Sequence, residues 1–409
     1  MKKSLIRKYA RLIARVGVNV QKGQSVVIDI AADCADFAAV LAEECYRAGA
    51  GKVRVEFYSD KLTKLNYRYQ SLTNMKKVSK WIEERAQEEV DENAAKIFID
   101  SDDPDALKGV NAEKLLKVSR ARRAVMKKYR DAVEGVRQWC IAAAPSKAWA
   151  KAVFPDEKPA AGVERLWQAI LSTVYVTEDN DPEAVWEARK ENYARKCNWL
   201  NSLDLRSLEY KSAKGTDLKI GLIPGAIFTG GGETSRKGVY FVPNLPTEEI
   251  FTSPMRGVVD GTVYATKPLS YNGSLIEDFS ITFKDGKAVS WKAKKGEDML
   301  KTIITIDEGA SMLGEVAIVP VSSAVGATGI LFLNTLFDEN ASCHLALGHG
   351  FQEVIKGCEN MSKEEIEKAG VNDSLSHVDF MIGDETLCIT GITGDGKRVP
   401  ILINGEWAM

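Results

Sequence analysis

The three histidines of the chain all lie in its C-terminal part, at His344, His349 and His377. Acidic residues accompany them, because Glu339 precedes His344 by five residues and Asp379 follows His377 by two. Imidazole nitrogens and carboxylate oxygens are common ligands of divalent metal ions in proteins. The clustering therefore predicts one polar site that binds divalent metal through mixed nitrogen and oxygen ligands.

The segment SHVDFMI around His377 alternates in the manner of a strand. Residues two apart on a strand share a face, so His377, Asp379 and Met381 are expected to point one way. Val378 and Phe380 are then expected to point into the core. The alternative is a purely structural hydrogen bond between His377 and Asp379 on a half-exposed strand.

Two further carboxylates occupy unusual settings. Glu315 lies in the apolar run GEVAIVP, where an unpaired buried charge is costly, and the alternative to a metal is an arginine or lysine partner. Glu249 lies in the proline-stiffened segment NLPTEEIF, where a surface charge is the alternative. The spacing of Glu339 and His344 does not place them on one helix face, and no H-E-x-x-H motif occurs, which predicts a loop or bend at this point.

The candidate metal ligands share the carboxylate and imidazole chemistry described above, and they are Glu249, Glu315, Glu339, His344, His377 and Asp379. Four carboxylates balance the charge of two divalent cations, which favours a two-metal centre with the ions roughly 3.5–4 Å apart. Such a centre serves hydrolysis, because two cations deprotonate a shared water, polarise a scissile carbonyl and stabilise the oxyanion that develops.

The composition is that of a globular protein, and 409 residues predict two domains. A net charge of −2 provides no general field for nucleic acid or anionic membrane, so neither is expected as a partner. The seven cysteines are scattered and never spaced C-x-x-C, which indicates a reducing, cytoplasmic location. The basic start is amphipathic rather than signal-like, and no apolar run is long enough to span a membrane.

The first half of the chain alternates strand and helix patterns. Strands are predicted at 26–30, 52–57, 95–99 and 139–144, with helices between them at about 36–48 and 114–130. This alternation predicts a doubly wound α/β domain with a mostly parallel sheet. A helix from Pro182 to about Leu203 is interpreted as the connector between the domains.

The second half changes to short alternating segments, predicted as strands at 205–211, 217–222, 258–266, 279–283 and 288–294. Turn signals at Lys214-Gly215, Asn272-Gly273 and Asp285-Gly286 separate them. We therefore expect a strand-rich α+β domain that carries the metal site. The domain boundaries are predicted as 1–188 and 189–409.

Five longer motifs follow one another in order: NLPTEEIFTSP, NGSLIEDFSITFKDGK, DEGASMLGEVAIVP, LFLNTLFDENASCHLALG and HVDFMIG. Together they resemble the aminopeptidase T, aminopeptidase S and PepS family of metallo-aminopeptidases, most closely from about Gly230 to Met409. The resemblance implies an exopeptidase that uses two divalent ions (zinc, cobalt or magnesium) to release N-terminal residues from short peptides. It also implies a homodimer.

The family's metal ligands correspond to the same candidate residues, with Glu315 as the bridging carboxylate. Glu248 is a candidate for the general base that takes a proton from the attacking water. The family usually carries tyrosine at the position of Phe351, where a phenol could donate a hydrogen bond to the oxyanion. Two alternatives follow: a catalytically weakened member that binds peptide, or a mononuclear-iron ring-cleaving dioxygenase of related fold.

Overall fold

The computed structural model describes residues 1–271 and 273–409, so the Asn272 part of one predicted turn lies outside the described residues. The chain forms two compact units. The first unit contains Met1–Glu187 and Gly232–Pro246, and the second contains Ala188–Gly231 and Thr247–Met409. The predicted division into domains 1–188 and 189–409 stays a prediction.

The helices are α1 (Lys3–Leu12), α2 (Ala35–Ala48), α3 (Asp60–Tyr69), α4 (Leu72–Lys76), α5 (Lys80–Asp91), α6 (Ala112–Val133), α7 (Lys147–Val153), α8 (Pro159–Thr173), α9 (Pro182–Ser202), α10 (Glu297–Ile304), α11 (Thr335–Asp338) and α12 (Lys363–Ala369).

The strands are β1 (Ser25–Ala31), β2 (Lys52–Tyr58), β3 (Ala95–Asp100), β4 (Trp139–Ala143), β5 (Leu205–Lys211), β6 (Asp217–Leu222), β7 (Thr229–Gly230), β8 (Glu233–Thr234), β9 (Tyr240–Phe241), β10 (Ile250–Thr252), β11 (Pro254–Tyr264), β12 (Leu269–Tyr271), β13 (Ser274–Lys284), β14 (Lys287–Lys295), β15 (Leu313–Ile318), β16 (His344–Gly348), β17 (His377–Met381), β18 (Cys388–Thr393), β19 (Arg398–Ile403) and β20 (Glu406–Trp407).

The first unit is built on a parallel sheet with the strand order β2-β1-β3-β4. The apolar run Val26–Ile28 of β1 is buried from both faces, as expected of a strand in a sheet covered by helices. The intervening helices make the long crossovers that parallel strands require. This arrangement confirms the predicted α/β fold of the N-terminal part.

The second unit contains two larger sheets. One has the order β17-β16-β15-β10-β7, and the other runs from β12 through β13, β11, β6, β5, β18 and β19 to β20, with β14 added beside β13. Neighbouring strands in both sheets run antiparallel. One apolar core joins them, with Leu345 and Phe380 from the first sheet and Tyr210 and Ile389 from the second. The predicted strand-rich C-terminal part is therefore confirmed.

Within the described residues, no helix combines the length and the apolar character that a membrane-spanning helix needs. The longest are α6 and α9, and both carry many charged side chains.

Candidate metal centre

One face of the sheet formed by β10, β15, β16 and β17 carries four candidate ligands, which are Glu315, His344, His377 and Asp379. Glu315 of β15 is opposite Ala346 of β16, and Ala346 is opposite Asp379 of β17. Residues directly opposite on paired strands point to the same side of the sheet. Glu315 and Asp379 therefore share a face, with only a methyl group between them.

The next set of residues paired across these strands, on the same face, also alternates large and small side chains. Phe251 of β10 is opposite Ala317, Ala317 is opposite His344, and His344 is opposite Met381. The small side chain Ala346 leaves space between Glu315 and Asp379, and Ala317 leaves space beside His344, so a bound ion would find room there.

The reverse face of these strands is apolar. Val316 and Ile318 of β15, Leu345 of β16, and Val378 and Phe380 of β17 all join the core of the second unit. The alternation predicted for the strand containing His377 is confirmed by this burial pattern. A register slip of one residue would exchange the two faces, so core packing sets the direction of every candidate ligand on these strands.

Two groups of donor atoms result, and in each group the atoms lie within 4.8 Å of one another. Glu249, Glu315 and His344 form the first group, and Glu315, His377 and Asp379 form the second. Glu315 belongs to both groups. His344 Nε2 lies 3.2 Å from Glu249 Oε2, and His377 Nε2 lies 3.2 Å from Glu315 Oε2.

Glu339 belongs to neither group, but it lies near both. It begins a 3-10 turn, Glu339–Ala341, directly after α11, as the predicted bend requires. Burial raises the pKa of its carboxyl group, and the carboxylates of Asp379 and Glu249 raise it further. Glu339 and Asp379 also line a small pocket together with Leu269, Thr335 and Met381.

The ring of His377 is oriented by the backbone. Its Nδ1 lies 2.7 Å from the carbonyl oxygen of His349, and because a carbonyl only accepts, Nδ1 carries the proton in this contact. Nε2 then faces Asp379 Oδ1 at 3.1 Å and is the candidate ligand atom of the ring. Such a hydrogen bond to the second ring nitrogen is typical of metal-binding histidines.

Two glycines allow the His349 carbonyl to approach the His377 ring. A β-bulge at Gly314 precedes Glu315, and a Cβ at Gly314 would come within 2.3 Å of the His349 carbonyl oxygen. Gly348 ends β16 with φ 106°, a conformation that side chains with a Cβ rarely adopt. The chain therefore turns at a place where only glycine fits.

The charge of the centre is unbalanced. Among the described residues, no lysine or arginine forms an ion pair with Glu249, Glu315, Glu339 or Asp379. Two imidazoles are the nearest basic groups, and this arrangement argues against the alternative that Glu315 is paired with a basic residue. The carboxylates are buried at a cost that a bound cation would offset.

The pKa directions reflect this imbalance. Burial alone would lower the pKa of His344, but Glu249, Glu315 and Asp379 raise it to about 10. Burial raises the pKa of Glu315 to about 7, against the opposing effect of the hydrogen bond from His377. The chemistry of this donor set, rich in carboxylate with two imidazoles, fits divalent metal ions.

Glu248 points away from Glu249, as expected of neighbours in an extended segment. Its carboxylate lies 2.8 Å from Arg189 Nη2 of α9. The backbone N–H of Glu248 donates to Asn340 Oδ1 at 2.6 Å, and the Asn340 amide donates to the Leu336 carbonyl at 2.8 Å. Sequence reasoning did not identify Arg189 or Asn340, although an asparagine directly after a candidate ligand was a usable signal.

Phe351 lies beside the same face. Its ring centroid is 5.0 Å from that of His377 and 5.1 Å from that of Phe251. Ser253 Oγ accepts the Phe351 N–H at 2.7 Å and donates to the Phe351 carbonyl at 3.1 Å. His349, in contrast, has an exposed side chain whose Nδ1 is 3.4 Å from Asp373 Oδ1.

Residues 2–407 match the family model described as Thermophilic metalloprotease (M29). The chain belongs to the M29 family of metalloproteases. Aminopeptidase AmpS of Bacillus subtilis (strain 168) is 42% identical over 405 residues, which cover 98% of each chain. Wild-type AmpT from Thermus thermophilus matches with a TM-score of 0.92 at 37% identity and covers 100% of both chains.

A dioxygenase from Pseudomonas putida KT2440 matches with a TM-score of 0.52 at 11% identity, over 98% of this chain and 96% of its own. This likeness shows a shared fold alone. Membership of the M29 family confirms the predicted resemblance and the predicted class, a metallo-aminopeptidase, and it implies a divalent metal ion.

Proposed function

We propose that this M29 enzyme releases N-terminal amino acids from short peptides with two divalent metal ions held by Glu249, Glu315, Glu339, His344, His377 and Asp379. The observation that carries the proposal is that Glu315 belongs to two groups of donor atoms at once. A carboxylate shared in this way fits the bridging role between two ions.

When bound, the two ions would activate a water molecule and stabilise the negative charge that develops on the scissile carbonyl oxygen. The contacts His344–Glu249 and His377–Glu315 place imidazole and carboxylate groups side by side. The hydrogen bond from His377 Nδ1 to His349 keeps Nε2 directed at the centre. Preorganised ligands lose little freedom on binding, which favours tight binding.

The excess of carboxylate also suits the substrate class. A peptide presents a free α-ammonium group only at its N-terminus, and a site rich in carboxylate attracts that group. Asp379 and half-buried Glu339 line the adjoining pocket, as does the carboxylate of Asp338. This arrangement supports removal of residues from the end of a peptide rather than cleavage within it.

We infer a positioning role for Glu248 from its ion pair with Arg189. The predicted role of Glu248 as general base stays a prediction. Zinc, cobalt and magnesium all accept mixed nitrogen and oxygen ligands, so the ion is proposed only as divalent. The homodimer and the cytoplasmic location also stay predictions.

The test combines metal content with peptide release. We expect about two non-redox ions per chain and release of the N-terminal residue from dipeptides, with activity abolished by a chelator and restored by metal. Glu315→Gln should retain the fold but lose bound metal and at least about 10²-fold in activity. The exposed Glu364→Gln is the matched control and should behave as wild type.

The same measurements separate the alternatives. One iron per chain with oxygen consumption would support the dioxygenase, and undiminished release of amino acid in chelator would overturn the metal mechanism. Metal binding with little turnover would support the weakened member, which Phe351 motivates because its ring lies beside His377 and has no hydrogen-bond donor.

A further inference from the structure

We propose that Asn372 is a positioning residue for His377, and that it controls the affinity of one of the two ion sites while leaving the other unchanged. This inference rests on the proposed function, because it assumes the two groups of donor atoms that share Glu315. Asn372 precedes His377 by five residues in the segment that leads into β17, and it is 1% exposed.

The side-chain amide of Asn372 joins two loops. Its Nδ2 donates to the Gly348 carbonyl at 2.6 Å and to the Gly309 carbonyl at 2.8 Å. Carbonyl oxygens only accept, so the amide nitrogen and not the amide oxygen must lie between them. The amide oxygen Oδ1 is buried and has no hydrogen-bond partner among the described residues. The side chain thus acts only as a double donor, a role that a carboxylate or an aliphatic side chain cannot take.

The same segment also fixes the two peptide units of the GHG turn that ends β16. In the first unit, the Gly348 carbonyl accepts from Asn372 Nδ2, and the His349 N–H donates to the Ser376 carbonyl at 2.7 Å. In the second unit, the Gly350 N–H donates to the backbone carbonyl of Asn372 at 2.8 Å. Three polar groups of the turn are therefore bound to this one segment.

The remaining carbonyl of the second unit, that of His349, orients the ring of His377. A trans peptide unit directs its N–H and its C=O to opposite sides. Because the Gly350 N–H points at Asn372, the His349 carbonyl points away from Asn372, and it accepts from His377 Nδ1 at 2.7 Å. Asn372 therefore acts on the His377 ring through the turn.

Backbone sterics alone do not hold this turn. Gly348 has φ 106°, and glycine adopts more backbone conformations than any other residue. The hydrogen bonds must therefore select one orientation of the peptide units. Loss of the Asn372 amide would leave two buried carbonyls unpaired, and it would release the peptide unit between Gly348 and His349.

Only one of the two groups of donor atoms depends on this turn. His377 belongs to the second group, whereas the first group takes its imidazole from His344. His344 is placed by the pairing of β16 with β15 and β17. A change at Asn372 should therefore weaken the ion site of His377 and spare the ion site of His344.

The first experiment needs no metal. Asn372→Leu replaces the amide by an apolar side chain of similar size, and NMR with isotopically labelled histidine observes the imidazole N–H groups of only three residues. In metal-free wild type we expect the Nδ1–H of His377, identified by its absence in His377→Gln, to exchange slowly with water. In Asn372→Leu it should exchange about 10-fold faster or more. Unchanged exchange in the folded variant would overturn the inference.

The second experiment measures the two ion sites separately. Calorimetric titration of metal-free wild type with zinc should give about two ions per chain. In Asn372→Leu one ion should keep its wild-type dissociation constant, and the other should bind about 10–100-fold more weakly. Equal weakening of both ions, or of neither, would overturn the inference. A single ion in the wild type would overturn the two-ion proposal instead, and the exchange of the His377 N–H would then decide the role of Asn372.

Two other variants keep the test decisive. Asn372→Ser retains one hydroxyl donor and should give intermediate effects if Asn372→Leu folds poorly. Asn74→Leu, at an exposed asparagine of α4, is the matched control and should behave as wild type in both experiments. Failure of both Asn372 variants to fold would assign the side chain to stability and overturn the inference.

Discussion

A buried glutamate such as Glu315 needs a positive partner, because moving an unpaired carboxylate from water into protein is costly. His377 Nε2 lies 3.2 Å from its carboxylate, and His344 lies in one of its groups of donors. Both contacts are with imidazoles and not with arginine or lysine. At the scale of single residues, therefore, the centre is arranged so that a cation completes it.

Phe351 provides a test at the same scale. Phe351→Tyr would add a phenolic donor beside His377, and one such donor directed at a developing oxyanion contributes on the order of 10²–10³ in rate. We expect kcat to rise by up to that factor, measured with saturating dipeptide. Phe57→Tyr adds the same hydroxyl at an exposed position and should change nothing. An unchanged kcat for Phe351→Tyr would remove the case for a weakened enzyme.

At the scale of elements, the segment Thr247–Glu249 is held from two sides. Tyr193 of α9 donates to the Thr247 carbonyl at 2.8 Å, while Arg189 pairs with the Glu248 carboxylate. Asn340, which is fully buried, accepts the Glu248 N–H. These contacts connect the segment carrying Glu249 with the turn carrying Glu339, although the two are far apart in the sequence.

Asn340→Leu removes this connection while keeping a side chain of similar size. We expect metal affinity to fall about 10–100-fold, as is typical when a group that orients a ligand is lost. Competition with a metal-sensitive dye measures the dissociation constant without any peptide. The exposed Asn74→Leu serves as control. An unchanged dissociation constant in folded Asn340→Leu would show that the side chain does not position the ligands.

Asp307 joins the loop after α10 to the segment that leads into β17. Its carboxylate accepts the Ala310 N–H at 2.8 Å, the Leu375 N–H at 2.7 Å and the Ser374 hydroxyl at 2.8 Å. Burial raises the pKa of Asp307, but these hydrogen bonds together lower it overall. The native structure therefore stabilises the charged form of Asp307 more than the unfolded chain does.

Asp307→Asn should lower the free energy of unfolding by about 1–3 kcal/mol at pH 7, because the charged acceptor is lost. Because the pKa of Asp307 is lower in the native protein than in the unfolded chain, its charged form stabilises the native protein at pH values above the unfolded pKa of about 3.9. This stabilisation is lost as the pH falls through the lower native pKa. Urea unfolding should therefore show the wild type and the variant converging from pH 6 towards about pH 3. The exposed Asp179→Asn should match wild type at pH 7. A gap independent of pH would contradict this role.

At the scale of the whole molecule, the candidate ligands come from elements that stretch from Glu249 to Asp379, and they meet only in the folded second unit. An ion that binds the folded protein and not the unfolded chain stabilises it by mass action. The metal site and the stability of the protein are therefore expected to be linked.

Removing the metal should lower the unfolding midpoint. Adding metal to a free concentration of about 1,000 times the dissociation constant of the metal should add about 4 kcal/mol to the free energy of unfolding. Urea denaturation with chelator and with added metal measures the difference. Glu315→Gln should lose most of this metal-dependent gain, whereas Glu364→Gln should keep it. Equal midpoints with and without metal in the wild type would exclude a tightly held ion.

Local patterns in the sequence were sufficient to predict many of the strands and helices. The strands predicted at 205–211 and 217–222 coincide with β5 and β6, and the helix beginning at Pro182 is α9. The side of β17 that carries His377 and Asp379 also followed from alternation. These features depend on side chains a few residues apart, which the sequence displays directly.

The sequence by itself determined which residue types were available for metal chemistry and which strand faces they would occupy. Only the tertiary structure decided that Glu248 pairs with Arg189, that Asn340 joins two distant segments and that Phe351 packs between Phe251 and His377. The physical reason is that periodicity is a local property of the chain. The pairing of strands and the contacts of loops are instead set by long-range packing, where many sequence-distant groups compete for the same neighbours.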